Sequence, residues 1–407
     1  MLLSFSLVFV CGFLLSGILQ KLRLPGLLGM ILTGILLGPY ALNLIAPEIL
    51  NISADLREIA LIVILARAGL ALDVKELKKV GRPAILMCFI PATFELAAII
   101  LLAPLFFGIS YLEAAIMGAV LAAVSPAVVV PRMLRLMDEG YGRSVGIPQL
   151  IMAGASVDDV YVIVLFTSFL GMYNGNGFDA VSLAKIPAAV ALGMLIGICA
   201  GLILAVMFKK IHMRDTVKIL IIFSVAFLLV SLETAAEPYI PVSGLLAVMA
   251  LGGTLLKRNA ILAKRLSGKF SKVWVGAELL LFVLVGAAVN IDYIKTAGYG
   301  AAVLILTALA FRTFGVFACL IKTKLGNKEK AFCAIAYLPK ATVQAAIGSI
   351  PLAAGVAAGD TILTVAVLAI VITAFIGAVG IDFSYKKLLE RESGQSPPDI
   401  KKQREAQ

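Results

Sequence analysis

Residues 146–170 read GIPQLIMAGASVDDVYVIVLFTSFL, a run whose only charged residues are two adjacent carboxylates at its centre, Asp158 and Asp159. A stretch of this length matches the roughly 20 apolar residues that a helix needs to cross a bilayer core. It shows no alternation of apolar and polar residues, so it does not suit a barrel strand. A charged side chain at the bilayer centre costs at least about 2.5–3.5 kcal/mol, which makes the pair a functional candidate. Two carboxylates so placed cannot both stay ionised without a nearby cation. Such a pair is a proton site that a metal cation can occupy by displacement. Neighbouring helical residues point about 100° apart, so the two aspartates are expected to have different neighbours and roles.

The rest of the chain has the same character. Of its 407 residues, 61% are hydrophobic and 14% charged, with a mean hydropathy of +1.04. Soluble domains are about 45–50% apolar and about 25% charged. A soluble enzyme, a nucleic-acid binder and a disordered protein are therefore poor readings. The net charge of +11 comes from 35 Lys and Arg against 24 Asp and Glu, and the bases sit in short loops between apolar runs. The five cysteines all lie within apolar segments with no CxxC pair, so they read as small core residues. Residues 1–20 lack a basic leader and are expected to be a retained first helix.

The hydropathy pattern places thirteen spans at roughly 1–20, 25–46, 57–73, 83–107, 112–131, 146–170, 183–208, 216–234, 240–256, 273–291, 298–321, 330–356 and 361–383. Gly26, Gly29, Gly34 and Gly38 in the second suit close helix packing. Cytoplasmic loops collect Lys and Arg. With an odd number of spans and the C-terminus inside, segments 21–24, 74–82, 132–145, 209–218, 257–272, 322–330 and 384–407 face the cytoplasm and hold 29 of the 35 bases. The outside loops hold only Arg57, Lys185 and Lys295. The predicted topology is N-terminus out, C-terminus in. Segment 257–272 is expected as a solvated basic linker or an amphipathic stretch on the inner surface, and 384–407 as a polar cytoplasmic tail.

Other charges also sit at membrane depth. Glu95 lies in the fourth span, Arg312 in the eleventh and Lys340 in the twelfth, while Arg67 and Glu278 lie nearer span ends, where snorkelling explains them. Glu95 with Arg312 is expected to be an ion pair that fixes helix packing. The fifth span carries Ser125-Pro126-Ala127 and Pro131, and the twelfth Pro339-Lys340-Ala341-Thr342. Breaks in matching positions of the two halves point to a transporter site. Helices 4–6 then correspond to 11–13, inverted. Opened turns expose carbonyls able to coordinate a cation, and Lys340 can offset the negative helix ends.

LPGLLGMILTGILLG, ILARAGLALD, AVSPAVVVPRML, MAGASVDD and LPKATVQAAIGS spread from the second to the twelfth span. On these strings the chain resembles the monovalent cation–proton antiporter superfamily, of the CPA-two type, in its NHA-type sodium/proton exchanger branch. The resemblance implies that Asp158 and Asp159 are the shared cation and proton site, with the second the principal carrier. It puts Ser125 and Thr342 at crossed broken helices. Arg312 stands where many relatives have a lysine paired with the first aspartate. In this branch the arginine pairs instead with a glutamate, here Glu95. Arginine cannot release its proton, so a stoichiometry of two protons per cation does not follow from the aspartates alone.

The combined expectation is an all-helical, inverted-repeat membrane antiporter. Residues 1–383 form the transmembrane domain, with 83–170 and 298–383 the ion-transporting core and the remainder scaffold and linker helix. It would exchange Na⁺ or Li⁺ for protons by alternating access, as a homodimer in the plasma membrane of a bacterium, without cofactor or nucleic acid. Alternatives are a sodium-coupled organic anion symporter, a membrane-embedded hydrolase or a channel. The lone His212 sits in a basic loop and no TVGYG filter occurs.

Overall fold

The computed structural model describes residues 1–22, 24–71, 81–142, 144–174, 180–236 and 242–391. Each apolar stretch of the sequence becomes helical, and among the described residues the sole β feature is a bridge between Tyr141 and Arg391. Nine of the described helices are long and apolar enough to cross a membrane, and Gly26–Leu37 and Thr342–Ala353 are shorter apolar helices.

Several boundaries differ from the sequence expectation, each for a local reason. The second helix ends at Leu37 rather than at 46, because Gly38 precedes Pro39 and a residue before proline leaves the helical region. Pro91 cannot donate to the carbonyl four residues back, and the fourth span divides into Arg82–Met87 and Ile90–Phe107. Segment 257–272 is not a solvated linker. From Ala260 it is the first part of one helix, Ala260–Ala287, with Leu266 and Phe270 fully buried. The span expected at 361–383 is the helix Gly359–Leu388, so the tail expected at 384 begins as helix, and 392–407 lie outside the described residues. Most of the 74–82 loop is likewise outside them.

Helices pack in two groups. The fourth span lies along the eleventh and the fifth, the sixth packs on the fifth, and the thirteenth on the eleventh and twelfth. The first three spans pack with the ninth and tenth, and the seventh lies along the ninth. Lipid supplies no hydrophobic drive between helices, so close backbone approach and dispersion hold them. At Gly34 an added Cβ would overlap the carbonyl oxygen of Val283, and at Gly286 that of Ile31. The second and tenth helices therefore touch backbone to backbone.

The inverted halves share local chemistry. The fifth span starts at Tyr111 with Glu113 accepting the Ser110 backbone N–H at 2.8 Å, and the twelfth starts at Asn327 with Glu329 accepting the Gly326 N–H at 2.8 Å. Glu329 follows Glu113 by the same number of residues as Lys340 follows Val124. Both helices open about ten residues later.

Candidate functional site

The fifth span consists of Tyr111–Leu121 and Pro126–Asp138, and the twelfth of Asn327–Ala336, Thr342–Ile347 and Ile350–Ala353. Pro126 has no N–H to give Ala122, and Pro339 none to give Ile335, so each helix opens at its proline. The two openings meet, with the Ser125 N–H donating to the Pro339 carbonyl at 2.8 Å.

Unpaired backbone groups are costly in an apolar interior, and the protein satisfies these one by one. Lys340 Nζ donates to the Leu121 carbonyl at 2.5 Å, and Gln344 Nε2 to those of Ala123 at 3.0 Å and Leu121 at 3.2 Å. Arg312 Nη1 donates to the Ala122 carbonyl, freed by Pro126, and Arg312 Nε to that of Tyr337 at 2.8 Å. The Val124 N–H donates to Asp158 Oδ2 at 2.7 Å, and the Lys340 N–H to Thr373 Oγ1 at 2.9 Å. The carbonyls of Leu121, Ala122, Ala123, Tyr337 and Pro339 are all taken by protein donors.

The charges are joined in the same network. Glu95 Oε2 lies 2.9 Å from Arg312 Nη1, and Glu95 Oε1 2.7 Å from Lys340 Nζ. Arg312 Nη2 reaches Asp158 Oδ2 at 3.0 Å. Glu95, Asp158, Arg312 and Lys340 are each at most 1% exposed. Arg312 thus does not choose Glu95 instead of Asp158. A guanidinium presents five donors in a planar fork, and it holds both carboxylates and two carbonyls. The Tyr337 ring lies under it, 5.5 Å from the guanidinium carbon. Lys340 combines the helix-end contact expected of it, at Leu121, with a pairing to Glu95 that was not anticipated.

Two cations and two carboxylates balance, which leaves Asp159 over. Its Oδ1 is buried without a hydrogen-bond partner, and no ion pair involves it among the described residues. It lines a small cavity with Thr342 of the twelfth span, Leu61, Leu65 and Ala68 of the third, and Met249 of the ninth. Ser125 Oγ, Asp158 Oδ1 and Thr342 Oγ1 are also buried without partners. All are oxygen acceptors, the donor type that hard cations take. His212 is exposed. Arg67 on Ser53–Ala71 and Glu278 on Ala260–Ala287 are only partly buried and interact electrostatically with each other.

Gln344, Thr373 and Tyr337 were missed in the sequence. Gln344 carried a signal as the one amide in an apolar half-helix. Thr373 could have been found by symmetry. It sits 33 residues beyond the backbone N–H it accepts, and Asp158 sits 34 beyond its own.

Residues 5–386 match the family model described as sodium/hydrogen exchanger, transmembrane. Sodium/hydrogen exchanger 9B2 of Mus musculus is 34% identical over 392 residues, covering 93% of this chain and 71% of that protein. The Xenopus tropicalis protein of that name is 35% identical over 389 residues, 91% of this chain and 70% of its own length. The solved structure of the sodium proton antiporter MjNhaP1 from Methanocaldococcus jannaschii superposes with a TM-score of 0.82 over 94% of this chain and 97% of that one, at 21% identity. The superfamily expected from the sequence holds, whereas the CPA-two type does not.

Proposed function

The chain belongs to the sodium/hydrogen exchanger family, and from that premise we propose that Asp159 is the carboxylate on which sodium and protons alternate. The protein is an integral, multi-pass membrane antiporter that exchanges sodium for protons. One observation carries the assignment to Asp159: in a buried group where Arg312 and Lys340 neutralise Glu95 and Asp158, it is the carboxylate left unpaired, and it faces a cavity. Sodium or a proton makes that group neutral and each excludes the other. Ser125 and Thr342 add neutral oxygens, and Asp158 anchors the site to Arg312. Glu95 and Arg312 brace the fourth span against the eleventh, while Lys340 compensates the negative end of Tyr111–Leu121. Lithium is a further cargo by the same oxygen chemistry.

Helices 4–6 and 11–13 form the moving core in this reading, and the remainder of 1–383 the scaffold of a homodimer. The packing of the two helix groups supports that division. An N-terminus outside, with the C-terminus and the tail from 384 inside, rests on the partition of Lys and Arg. The two 9B2 exchangers named above are animal proteins, so a bacterial inner membrane has no support from them. The test is sodium-dependent proton flux in liposomes holding the purified protein, native against Asp159→Asn. Equal flux in the two would overturn the assignment.

A further inference from the structure

The side chain of Gln344 is 1% exposed and projects from the half-helix Thr342–Ile347, whose other five residues carry no ionisable or amide group. The carbonyls of Ala123 and Leu121, 3.0 and 3.2 Å away, only accept, so the amide nitrogen must be the atom that faces them. Gln344 Oε1 consequently points elsewhere, and it is buried with no partner. A stranded buried acceptor carries a cost that Met or Leu in the same space would not. The donors must therefore contribute something that volume does not.

What they contribute follows from which carbonyl they hold. Ala123 C=O and Val124 N–H belong to one peptide unit, and a peptide is planar, so fixing the oxygen fixes the direction of the N–H. That N–H donates to Asp158 Oδ2 at 2.7 Å. A chain of hydrogen bonds thus runs from Gln344 through the Ala123–Val124 peptide to Asp158, each bond polarising the next. Asp158 is the residue beside Asp159, and its Oδ2 also meets Arg312 at 3.0 Å.

We propose that Gln344 is a positioning residue for the exchange: acting through the Ala123–Val124 peptide, it sets the placement of the Asp158 carboxylate and thereby the cation site at Asp159. This rests on the assignment of Asp159 in the preceding section. The effect of Gln344 falls on how well the resting site fits sodium. Loss of the amide donors should raise the apparent KM for sodium by about three- to tenfold, the range of one neutral hydrogen bond. The KM should rise by a larger factor than the maximal rate falls. A side chain that only stabilised the fold would reduce the amount of active protein and leave KM in place.

The experiment measures initial rates of sodium-driven proton flux in proteoliposomes, per folded molecule, for native protein, Gln344→Met, Gln344→Glu, Gln344→Asn and Asp159→Asn. Gln344→Met keeps the volume without donors. Gln344→Glu keeps the shape but turns an oxygen towards the Ala123 carbonyl, and it serves if the Met variant fails to fold. Gln344→Asn retains donors on a shorter stem and should recover part of the native KM. A native KM in folded Gln344→Met or Gln344→Glu overturns the proposal, provided that Asp159→Asn is inactive. Native flux in Asp159→Asn overturns the assignment it rests on, and the proposal with it.

Discussion

Lys340 Nζ lies 2.7 Å from Glu95 Oε1 and 2.8 Å from Oε2, across 245 residues of chain, and joins the break of the twelfth span to the fourth. Arg312 Nη1 grips Oε2 of the same carboxylate at 2.9 Å. Glu95 is therefore the shared anion of two buried cations drawn from the second half of the chain. Removing one member of a buried pair leaves its partner uncompensated, at about 3–5 kcal/mol.

Glu95→Gln should consequently lower the thermal stability of the purified protein more than Lys340→Met does, since it leaves Lys340 with no carboxylate and Arg312 with Asp158 alone, whereas Lys340→Met leaves Glu95 paired to Arg312. In the Glu95→Gln, Lys340→Met double variant the loss should be smaller than the sum of the single losses. Strictly additive melting shifts would show that the two side chains do not meet in the folded protein.

Asp159→Asn should abolish exchange while the protein folds and melts as the native form does, because its carboxylate has no ion-pair partner to lose. Asp158→Asn should behave differently. It removes the negative charge that pairs with Arg312 Nη2 and leaves the Val124 N–H a weaker, neutral acceptor, and should lower stability together with transport. Melting curves and flux on the same preparations separate the two roles.

Lowering pH should raise the apparent KM for sodium, because protons and sodium compete for one carboxylate. The sign follows from mass action: protons bind the empty site and sodium must displace them. Below the midpoint the slope should be about tenfold per pH unit for a single displaced proton, and about a hundredfold for two. Flux against sodium at several pH values, with no membrane potential, measures it. A KM that does not move would rule out competition.

Exchange should be insensitive to membrane potential. Arg312 stays charged at any accessible pH, and Asp158 stays paired to it, so one positive charge crosses in each direction. Flux with and without an imposed potential tests this. Arg312→Lys replaces the fork by a group able to release its proton, and should introduce a potential-dependent component.

Gly34→Ala should destabilise the protein by about 1–3 kcal/mol, because the added carbon overlaps the Val283 carbonyl oxygen and the second and tenth helices must separate. Gly17 has open space at the corresponding position, and Gly17→Ala should leave the melting temperature almost unchanged.

Much of this architecture is legible in one dimension because it rests on local properties. Helix type follows from hydropathy and length, and each break follows from a proline that lacks its N–H, as at Pro126 and Pro339. The candidate status of Asp158, Asp159, Glu95, Arg312 and Lys340 follows from the cost of charge at membrane depth. Helix ends were read less well. For 257–272 the sequence leaves a solvated linker and an amphipathic stretch both open, since the bases flanking Phe270 mask an apolar face that packing reveals.

By itself, then, the sequence determined that this chain is a bundle of membrane helices, where two of them open, and which ionisable groups lie within. Tertiary structure decided what those groups do to one another. Asp158 and Asp159 are alike in the sequence and adjacent in the chain. Only the fold turns one towards Arg312, 154 residues away, and the other towards a cavity walled by Leu61, Leu65 and Met249. Likewise the sequence shows where carbonyls are set free, but not that Arg312, Lys340 and Gln344 take them. The physical reason is range. Hydropathy and a missing N–H act within a few residues, whereas hydrogen bonds and ion pairs require contact, and here their partners come from the opposite half of the chain.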